Sequence, residues 1–82
     1  METTDIGWAV RKMRDHQKVR RAGWNGKGMW IALVDGDPEA MVEGRKAPKM
    51  PCIGMFTAQG NWQPGWLCSQ ADLLADDWEL VA

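Results

Sequence analysis

Six of the 82 residues are tryptophan, and this bulky residue type sets the strongest limit on how the chain folds. A chain of this length builds one small core, since a 60-residue domain buries only about 60% of its unfolded surface. Tryptophan is rarely fully buried, and each indole N–H needs a hydrogen-bond partner. Some of the six indoles are therefore expected to line a pocket or a subunit interface, and self-association is expected to support the fold. The six are Trp8, Trp24, Trp30, Trp62, Trp66 and Trp78.

Composition favours a single globular domain over residues 1–82. Hydrophobic residues make up 45% and charged residues 26%, an ordinary globular balance. No apolar run approaches the roughly 20 residues that span a bilayer, and the first ten residues lack the features of a secretory signal. Two cysteines, Cys52 and Cys68, are too few for a disulfide scaffold, so we expect both to be reduced. These features predict a cytoplasmic protein.

The charges are unevenly distributed along the chain although the net charge is only -1. Residues 1–27 carry seven Lys or Arg against three acids, whereas residues 51–82 carry four acids and no Lys or Arg. A chain of this kind is expected to pair its own two ends. A strongly basic nucleic-acid binder does not normally have a pI near 5.7.

The N-terminal segment has the periodicity of an amphipathic helix over about residues 5–16. Starting from Ile6, apolar residues recur at i, i+3, i+4 and i+7, which gives one apolar stripe. Thr3 or Thr4 is available as the N-cap. Trp8 lies roughly opposite Ile6 on the helical wheel, so it is a candidate subunit contact or a partly exposed side chain.

Short strands and loops are predicted for the rest of the chain. Residues 18–21 are extended, and the strand over residues 29–34 is so continuously apolar that we expect both of its faces to be covered. Residues 35–50 mix Gly, Pro and both charge signs and are predicted to form one long loop. The remaining elements are a strand over residues 52–57 that turns back in a hairpin to Trp62, a short helix over residues 70–75 capped by Ser69, and a final strand over residues 78–81.

Several familiar kinds of catalytic and metal chemistry are excluded by the residue inventory. The chain has one serine, Ser69, and one histidine, His16, which do not supply a nucleophile, a base and an orienting acid together. One histidine and two distant cysteines miss the spacings of zinc sites, and the acidic run from Asp35 lacks the glycine of a calcium loop. Gly26-Lys27 is followed by glycine and a strand rather than Ser/Thr and a helix, so it is not a phosphate loop of the Walker type. We expect no catalytic residue, no cofactor and no bound metal.

Two separate stretches carry the groups with which proteins bind nucleotides. Trp24 and Asn25 lie in a glycine-rich turn, residues 23–28. Its backbone N–H groups, together with Lys27, are suited to binding an anion. An indole face stacks on a base, and amide or carboxylate groups read base edges and ribose hydroxyls. The later stretch offers Trp66, Ser69, Gln70 and Asp72. The same residues also have purely structural interpretations: a core tryptophan, an Asn-Gly turn and a helix cap.

At these residues the sequence resembles a known family. Residues 18–30 and 66–80, KVRRAGWNGKGMW and WLCSQADLLADDWEL, look like the two signature blocks of the second Thoeris anti-defence family of small phage proteins. The similarity extends from the first helix to the final strand. With the elements above, it implies an α+β fold: a small antiparallel sheet with an N-terminal helix and a short second helix near the C-terminus.

The resemblance also implies a function. Members of that family are non-enzymatic sponges that act in the bacterial host cytoplasm, where they assemble as homotetramers. They sequester the cyclised ADP-ribose signals made by bacterial TIR-domain proteins, and some relatives hold cyclic dinucleotides at a separate site. The ligand-binding residues carried over by motif are Trp24, Asn25, Lys27, Trp66, Ser69, Gln70 and Asp72. Asp77 and Trp78 also match, and we interpret Trp78 mainly as core.

One departure from the family pattern concerns Cys68, which stands where relatives commonly have proline. The loss of proline makes the loop before Ser69 less rigid and bears on ligand choice. A second interpretation comes from a different functional class. In it the protein is a nucleic-acid or protein adaptor that uses the basic surface of the first helix, formed by Arg11, Lys12, Arg14 and Lys18.

Overall fold

The first helix, α1 (Ile6–Arg14), begins at a side-chain cap and lies on the sheet. The computed structural model describes residues 3–82. The Asp5 carboxylate accepts a hydrogen bond of 2.9 Å from the Trp8 backbone N–H, so the predicted caps Thr3 and Thr4 are wrong by one or two residues. Thr4 instead forms a bridge with the C-terminal segment. The helix ends earlier than predicted because the chain turns into a positive φ of 62° at His16.

Seven strands and one further helix follow α1. They are β1 (Val19–Arg21), β2 (Trp30–Val34), β3 (Met41–Val42), β4 (Arg45–Lys46), β5 (Cys52–Phe56), β6 (Trp62–Pro64), α2 (Gln70–Leu73) and β7 (Trp78–Leu80). Five of the strands form one antiparallel sheet in the order β6-β5-β2-β1-β7. The predicted α+β fold, a small antiparallel sheet with an N-terminal helix and a short helix near the C-terminus, is confirmed.

One face of the sheet is covered by α1, which contacts β1, β2 and β7. The core between them is small and consists of Trp8, Ala9, Met13, Val19, Ile31 and Trp78. Trp8 is only 7% exposed, so the prediction that it is a subunit contact or a partly exposed side chain is wrong. Because the helix crosses three strands, the side of it that is covered is wider than the predicted stripe. The Lys12 ammonium lies 5.8 Å from the Trp8 ring centroid at the solvent edge.

The other face of the sheet carries a row of aromatic rings. Trp30, Phe56 and Trp62 are directly paired across β2, β5 and β6. The Trp30 ring lies 5.4 Å from that of Phe56 and 5.6 Å from that of Trp62. Only Ile31 of β2 is buried, so the prediction that both faces of this strand are covered is wrong for the single chain. The helix covers one face, whereas the rings on the opposite face pack against one another and stay partly exposed.

The segment predicted to be one long loop, residues 35–50, contains a two-stranded hairpin instead. Strands β3 and β4 pair antiparallel, and Asp37 forms a further bridge with Lys49 at the base. The turn is made by Glu43 and Gly44, both at positive φ (50° and 77°), which is the backbone of a type I′ hairpin turn. Met41 is largely exposed, as is the rest of the hairpin.

The C-terminal third closes the sheet. The predicted hairpin between β5 and β6 is present. Ser69 caps α2 as predicted, since its hydroxyl accepts the Asp72 backbone N–H at 3.2 Å. The final strand β7 pairs with β1 rather than with its neighbours in sequence. Neither of the helices within residues 3–82 has the length and apolar character needed to cross a membrane.

Candidate functional site

The two stretches singled out in the sequence meet where β1 and the turn after it face α2 and the start of β7. Strand pairing places Arg21 opposite Trp78. Beyond β1, the Ala22 backbone N–H donates to the Asp77 carbonyl at 3.0 Å. The turn that carries Trp24 is therefore held beside the segment from Trp66 to Trp78, although the two are far apart in sequence.

Three indoles form a cluster at this junction. The Trp24 ring centroid lies 5.4 Å from that of Trp78 and 6.4 Å from that of Trp66, and the third pair is 6.2 Å apart. All three contacts are edge-to-face, an arrangement that pairs of aromatic rings prefer. Trp78 is 1% exposed, which confirms its interpretation as core. Trp24 and Trp66 are half-buried, so each packs on the core and still presents surface to solvent.

The carboxylate of Asp72 fixes the orientation of the Trp24 ring. Its Oδ1 accepts a hydrogen bond of 2.9 Å from Trp24 Nε1 and another of 2.8 Å from Arg21 Nη1. The backbone of the same residue is held as well, because its N–H donates to Ser69 Oγ and its carbonyl accepts from Trp78 Nε1 at 3.3 Å. Asp72 thus joins the second helix to the tryptophan of the first stretch.

A second carboxylate, Asp77, holds the start of the turn. Its Oδ1 accepts from Arg21 Nε and its Oδ2 accepts from the Gly23 backbone N–H, both at 2.8 Å. A Cβ at Gly23 would lie 2.9 Å from Asp77 Oδ2, so a larger residue there would require the carboxylate to shift. Arg21 bridges the two carboxylates with a side chain that is 19% exposed.

Hydrogen bonds within this network lower the pKa values of its two aspartates. Burial alone would raise the pKa of Asp72, but hydrogen bonds with Arg21, Trp24 and Ser69 outweigh that effect and hold the pKa below its usual value. The hydrogen bond from Arg21 is the main cause that lowers the pKa of Asp77. Both carboxylates are therefore ionised at neutral pH. Burial, and then the charge of Asp72, raises the pKa of the nearby Cys68 thiol, which is unpaired.

A cavity of about 370 Å³ opens beside Trp24, on the side of the glycine-rich turn. This volume is in the range of small-molecule sites. Its lining is Arg20, Arg21, Ala22, Trp24, Gly26, Lys27, Gly28, Met29 and Glu79. Arg20 is paired with Glu79 at 2.8 Å, and Arg21 with the two aspartates. Within residues 3–82, no ion pair engages Lys27, so its ammonium is the cation left to meet an anionic ligand in the cavity.

The structure brings together most of the residues proposed from sequence, but not all in one place. Trp24, Trp66, Ser69 and Asp72 belong to one contact network, and Trp24 also lines the cavity with Lys27. Asn25 and Gln70 belong to neither the network nor the cavity lining. Asn25 is exposed in the turn, and Gln70 is exposed at the first position of α2. Trp24 is the residue common to the network and the cavity.

Sequence reasoning missed the central part that Arg21 plays, and it noted Asp77 only as a match to the family pattern. The signal was present in the charge asymmetry, which predicted that the basic first third would pair with the acidic last third. That prediction is confirmed by the pairs of Arg20 with Glu79 and of Arg21 with Asp72 and Asp77. Which base meets which acid was not readable from spacing, since the partners lie more than 50 residues apart.

Comparison with known proteins finds similarity over nearly the whole chain. The family model described as Thoeris anti-defense 2-like domain matches residues 4–81. A protein named Thoeris anti-defense 2, from Bacillus phage SP01, is 32% identical over 83 residues, covering 94% of this chain and 93% of the relative. The family match includes β1, the glycine-rich turn, α2 and β7. The chain therefore belongs to the Thoeris anti-defense 2-like family and shares its phage anti-defence role.

Proposed function

We propose that the protein is a sponge that binds cyclised ADP-ribose signals of Thoeris TIR-domain proteins and sequesters them without cleavage in the host cytoplasm. The observation that carries this proposal is the cavity between Trp24 and Lys27. A fixed indole stands there beside a cation that has no ion pair within residues 3–82. An indole face stacks on a base, and an ammonium with backbone N–H groups meets a pyrophosphate.

Capture without chemistry fits the state of the carboxylates at the site. A general acid or base works best when its pKa is near the working pH. Asp72 and Asp77 have depressed pKa values because both are hydrogen-bonded to Arg21. They are accordingly suited to holding side chains in place rather than to moving protons. The ligand-binding set in this proposal is Trp24, Asn25, Lys27, Trp66, Ser69, Gln70 and Asp72.

A sponge must bind tightly, and this requirement favours a pocket shared between subunits. Nanomolar affinity corresponds to about -12 kcal/mol, whereas a stacked indole contributes roughly 1–3 kcal/mol. The cavity is open and contains only part of the proposed set. We therefore propose a homotetramer in which a second copy completes the enclosure, with cyclic dinucleotides as ligands of a separate site.

Titration calorimetry with cyclic ADP-ribose as the probe tests the proposal. Trp24→Phe keeps an aromatic ring but removes the N–H that donates to Asp72. We expect affinity to fall at least about tenfold, the order of magnitude of one lost hydrogen bond to a charged group. Trp62→Phe is the matched control, because it makes the same substitution in β6, at the other edge of the sheet from β7 and outside the cavity lining. It should leave affinity unchanged. Equal affinities for wild type and Trp24→Phe would contradict the assignment.

Two further measurements separate capture from its alternatives. Chromatography of the probe after incubation should return it unchanged, whereas a new product would indicate an enzyme. Dilution to the monomer should abolish binding if the pocket is shared, and undiminished affinity of a monomer would refute that part of the proposal.

The alternative adaptor function, which uses the basic surface of the first helix, has less support than the sponge. Lys12 lies over the Trp8 ring and Lys18 lies 4.7 Å from the Trp30 ring centroid, so two of its four cations are occupied by aromatic contacts. A nucleic-acid adaptor would bind RNA or DNA with an affinity that falls steeply as salt is added. The sponge should show no such binding.

A further inference from the structure

Arg21 forms ion pairs with two carboxylates that come from different parts of the fold. It is the last residue of β1. Its Nη1 donates to Asp72 in α2, and its Nε donates to Asp77 just before β7. Its own backbone carbonyl accepts the Trp24 backbone N–H at 3.3 Å. One side chain thus ties together the strand, the turn and the C-terminal segment.

The charge of Arg21 is already matched inside the protein. Two ionised carboxylates lie 2.8 Å from its guanidinium and compensate its positive charge. Although Arg21 lines the cavity, its charge is therefore already paired and is poorly suited to binding a phosphate group. Its effect on the cavity runs through Asp72, whose Oδ1 accepts hydrogen bonds from both Arg21 and Trp24. The Trp24 ring needs such a tie because its turn contains three glycines, Gly23, Gly26 and Gly28, and is therefore flexible backbone.

We infer that Arg21 is a positioning residue that holds Asp72 where it locks the Trp24 indole in its ligand-ready orientation. The expected effect on ligand affinity rests on the proposed sponge function, but the effect on the ring itself does not. Lysine is not an adequate substitute: its ammonium is a point charge on a flexible stem, whereas the planar guanidinium reaches both carboxylates from fixed directions. Arg21→Lys therefore keeps the charge and removes the alignment.

Hydrogen exchange of the indole N–H groups, followed by nuclear magnetic resonance without ligand, tests the alignment directly. In Arg21→Lys we expect the Trp24 Nε1 proton to exchange at least about tenfold faster, since its acceptor is no longer held. Trp78 Nε1 is the internal reference, because it donates to the backbone carbonyl of Asp72 and not to the carboxylate. Arg20→Lys is the matched control. It alters the neighbouring ion pair with Glu79 and should leave Trp24 exchange unchanged.

The outcome distinguishes positioning from general stabilisation. Faster exchange at Trp24 with little change at Trp78, in a protein that keeps its circular-dichroism spectrum, supports the inference. Equal acceleration at both indoles means that Arg21 only stabilises the fold, and unchanged exchange at both means that Asp72 is held by other groups. Either result overturns the inference.

A double-mutant cycle on affinity for cyclic ADP-ribose tests the consequence for binding. We expect Arg21→Lys to weaken binding about tenfold in the wild type but less than about twofold in the Asp72→Asn background, because the two residues act in one chain of contacts. An equal loss in both backgrounds means that Arg21 contacts the ligand directly and overturns the positioning role. If the wild type does not bind the probe, the proposed function fails, and indole exchange alone then decides the role of Arg21.

Discussion

Trp24 combines a structural role with a position suited to the proposed ligand-binding role. Its edge packs on the buried Trp78 ring, its N–H is donated to Asp72, and the residue lines a cavity with Lys27. Packing restricts the ring, and a restricted ring loses less conformational freedom when a ligand stacks on it. A structural contact at one edge therefore supports a binding role at the rest of its surface.

The paired aspartates predict how stability depends on pH. In the folded state the pKa values of Asp72 and Asp77 lie below their ordinary value, which is about 3.9 for an unfolded aspartate. The unfolded chain thus binds protons before the folded chain does as pH falls. The stabilisation is complete above about pH 5 and is lost as pH falls through the folded-state pKa values. Thermal midpoints recorded from about pH 6 down to pH 2 should show this loss.

Adjacent aspartates provide the control for that measurement. Asp77→Asn removes a carboxylate that pairs with Arg21, and it should flatten the acid-side decline of the midpoint. Asp76→Asn changes the exposed neighbour, whose side chain has no ion pair within residues 3–82, and should leave the decline as in the wild type. A decline of the same steepness in all three proteins would mean that other carboxylates dominate acid unfolding.

Among the elements, the aromatic packing on the sheet face opposite α1 depends on one glycine. Gly54 of β5 is buried beneath the Trp62 ring, and a Cβ at that position would overlap the ring atoms. Trp62 is in turn tilted against Trp30. Gly54→Ala must displace the indole, and we expect it to lower the free energy of unfolding by about 1–3 kcal/mol, the usual cost of overpacking. Urea denaturation measures this difference.

The double variant Gly54→Ala, Trp62→Ala isolates the clash from any effect on strand propensity. Once the ring is gone, the added methyl group has space. The cost of Gly54→Ala should then nearly vanish when it is measured against Trp62→Ala alone. The same cost in both backgrounds would show that the ring does not limit this position.

Elements with strong periodicity were predictable from sequence, and those defined by a few residues were not. The apolar stripe gave α1, and the capping pattern at Ser69 gave the start of α2. The β3–β4 hairpin was missed because each strand has two residues and its turn has Glu43 rather than Asn or Asp at the first positive-φ position. Periodicity describes long elements best.

The candidate site was predictable as residue types but not as contacts. Both stretches were recognisable from their tryptophans and polar residues. Their meeting requires β7 to pair with β1 across the whole chain, which local pattern does not specify. For the same reason the sequence did not reveal that Asp72 is shared between Arg21 and Trp24.

At the scale of the whole molecule, the candidate site lies on the seam between β1 and β7, the strand pair that joins the C-terminal segment to the rest of the fold. Within residues 3–82, six hydrophobic residues are buried in the core, which is few for a domain of this length. The seam between β1 and β7 is reinforced by the Arg20–Glu79 and Arg21–Asp77 pairs, next to the cavity. A ligand that bridges the turn and the C-terminal segment would cross the same seam, so binding and global stability should be coupled.

This coupling predicts a large thermal shift on ligand binding. A ligand that binds only the folded state, at a free concentration of about 100 times its Kd, adds roughly 2.7 kcal/mol of stability. In a domain of this size that corresponds to a rise in Tm on the order of 10–20 °C. Intrinsic tryptophan fluorescence at fixed protein concentration, with and without cyclic ADP-ribose, measures the shift. Trp62→Phe should show the full rise and Trp24→Phe a smaller one. A Tm that does not respond to saturating ligand, while calorimetry reports binding, would contradict selective binding to the folded state.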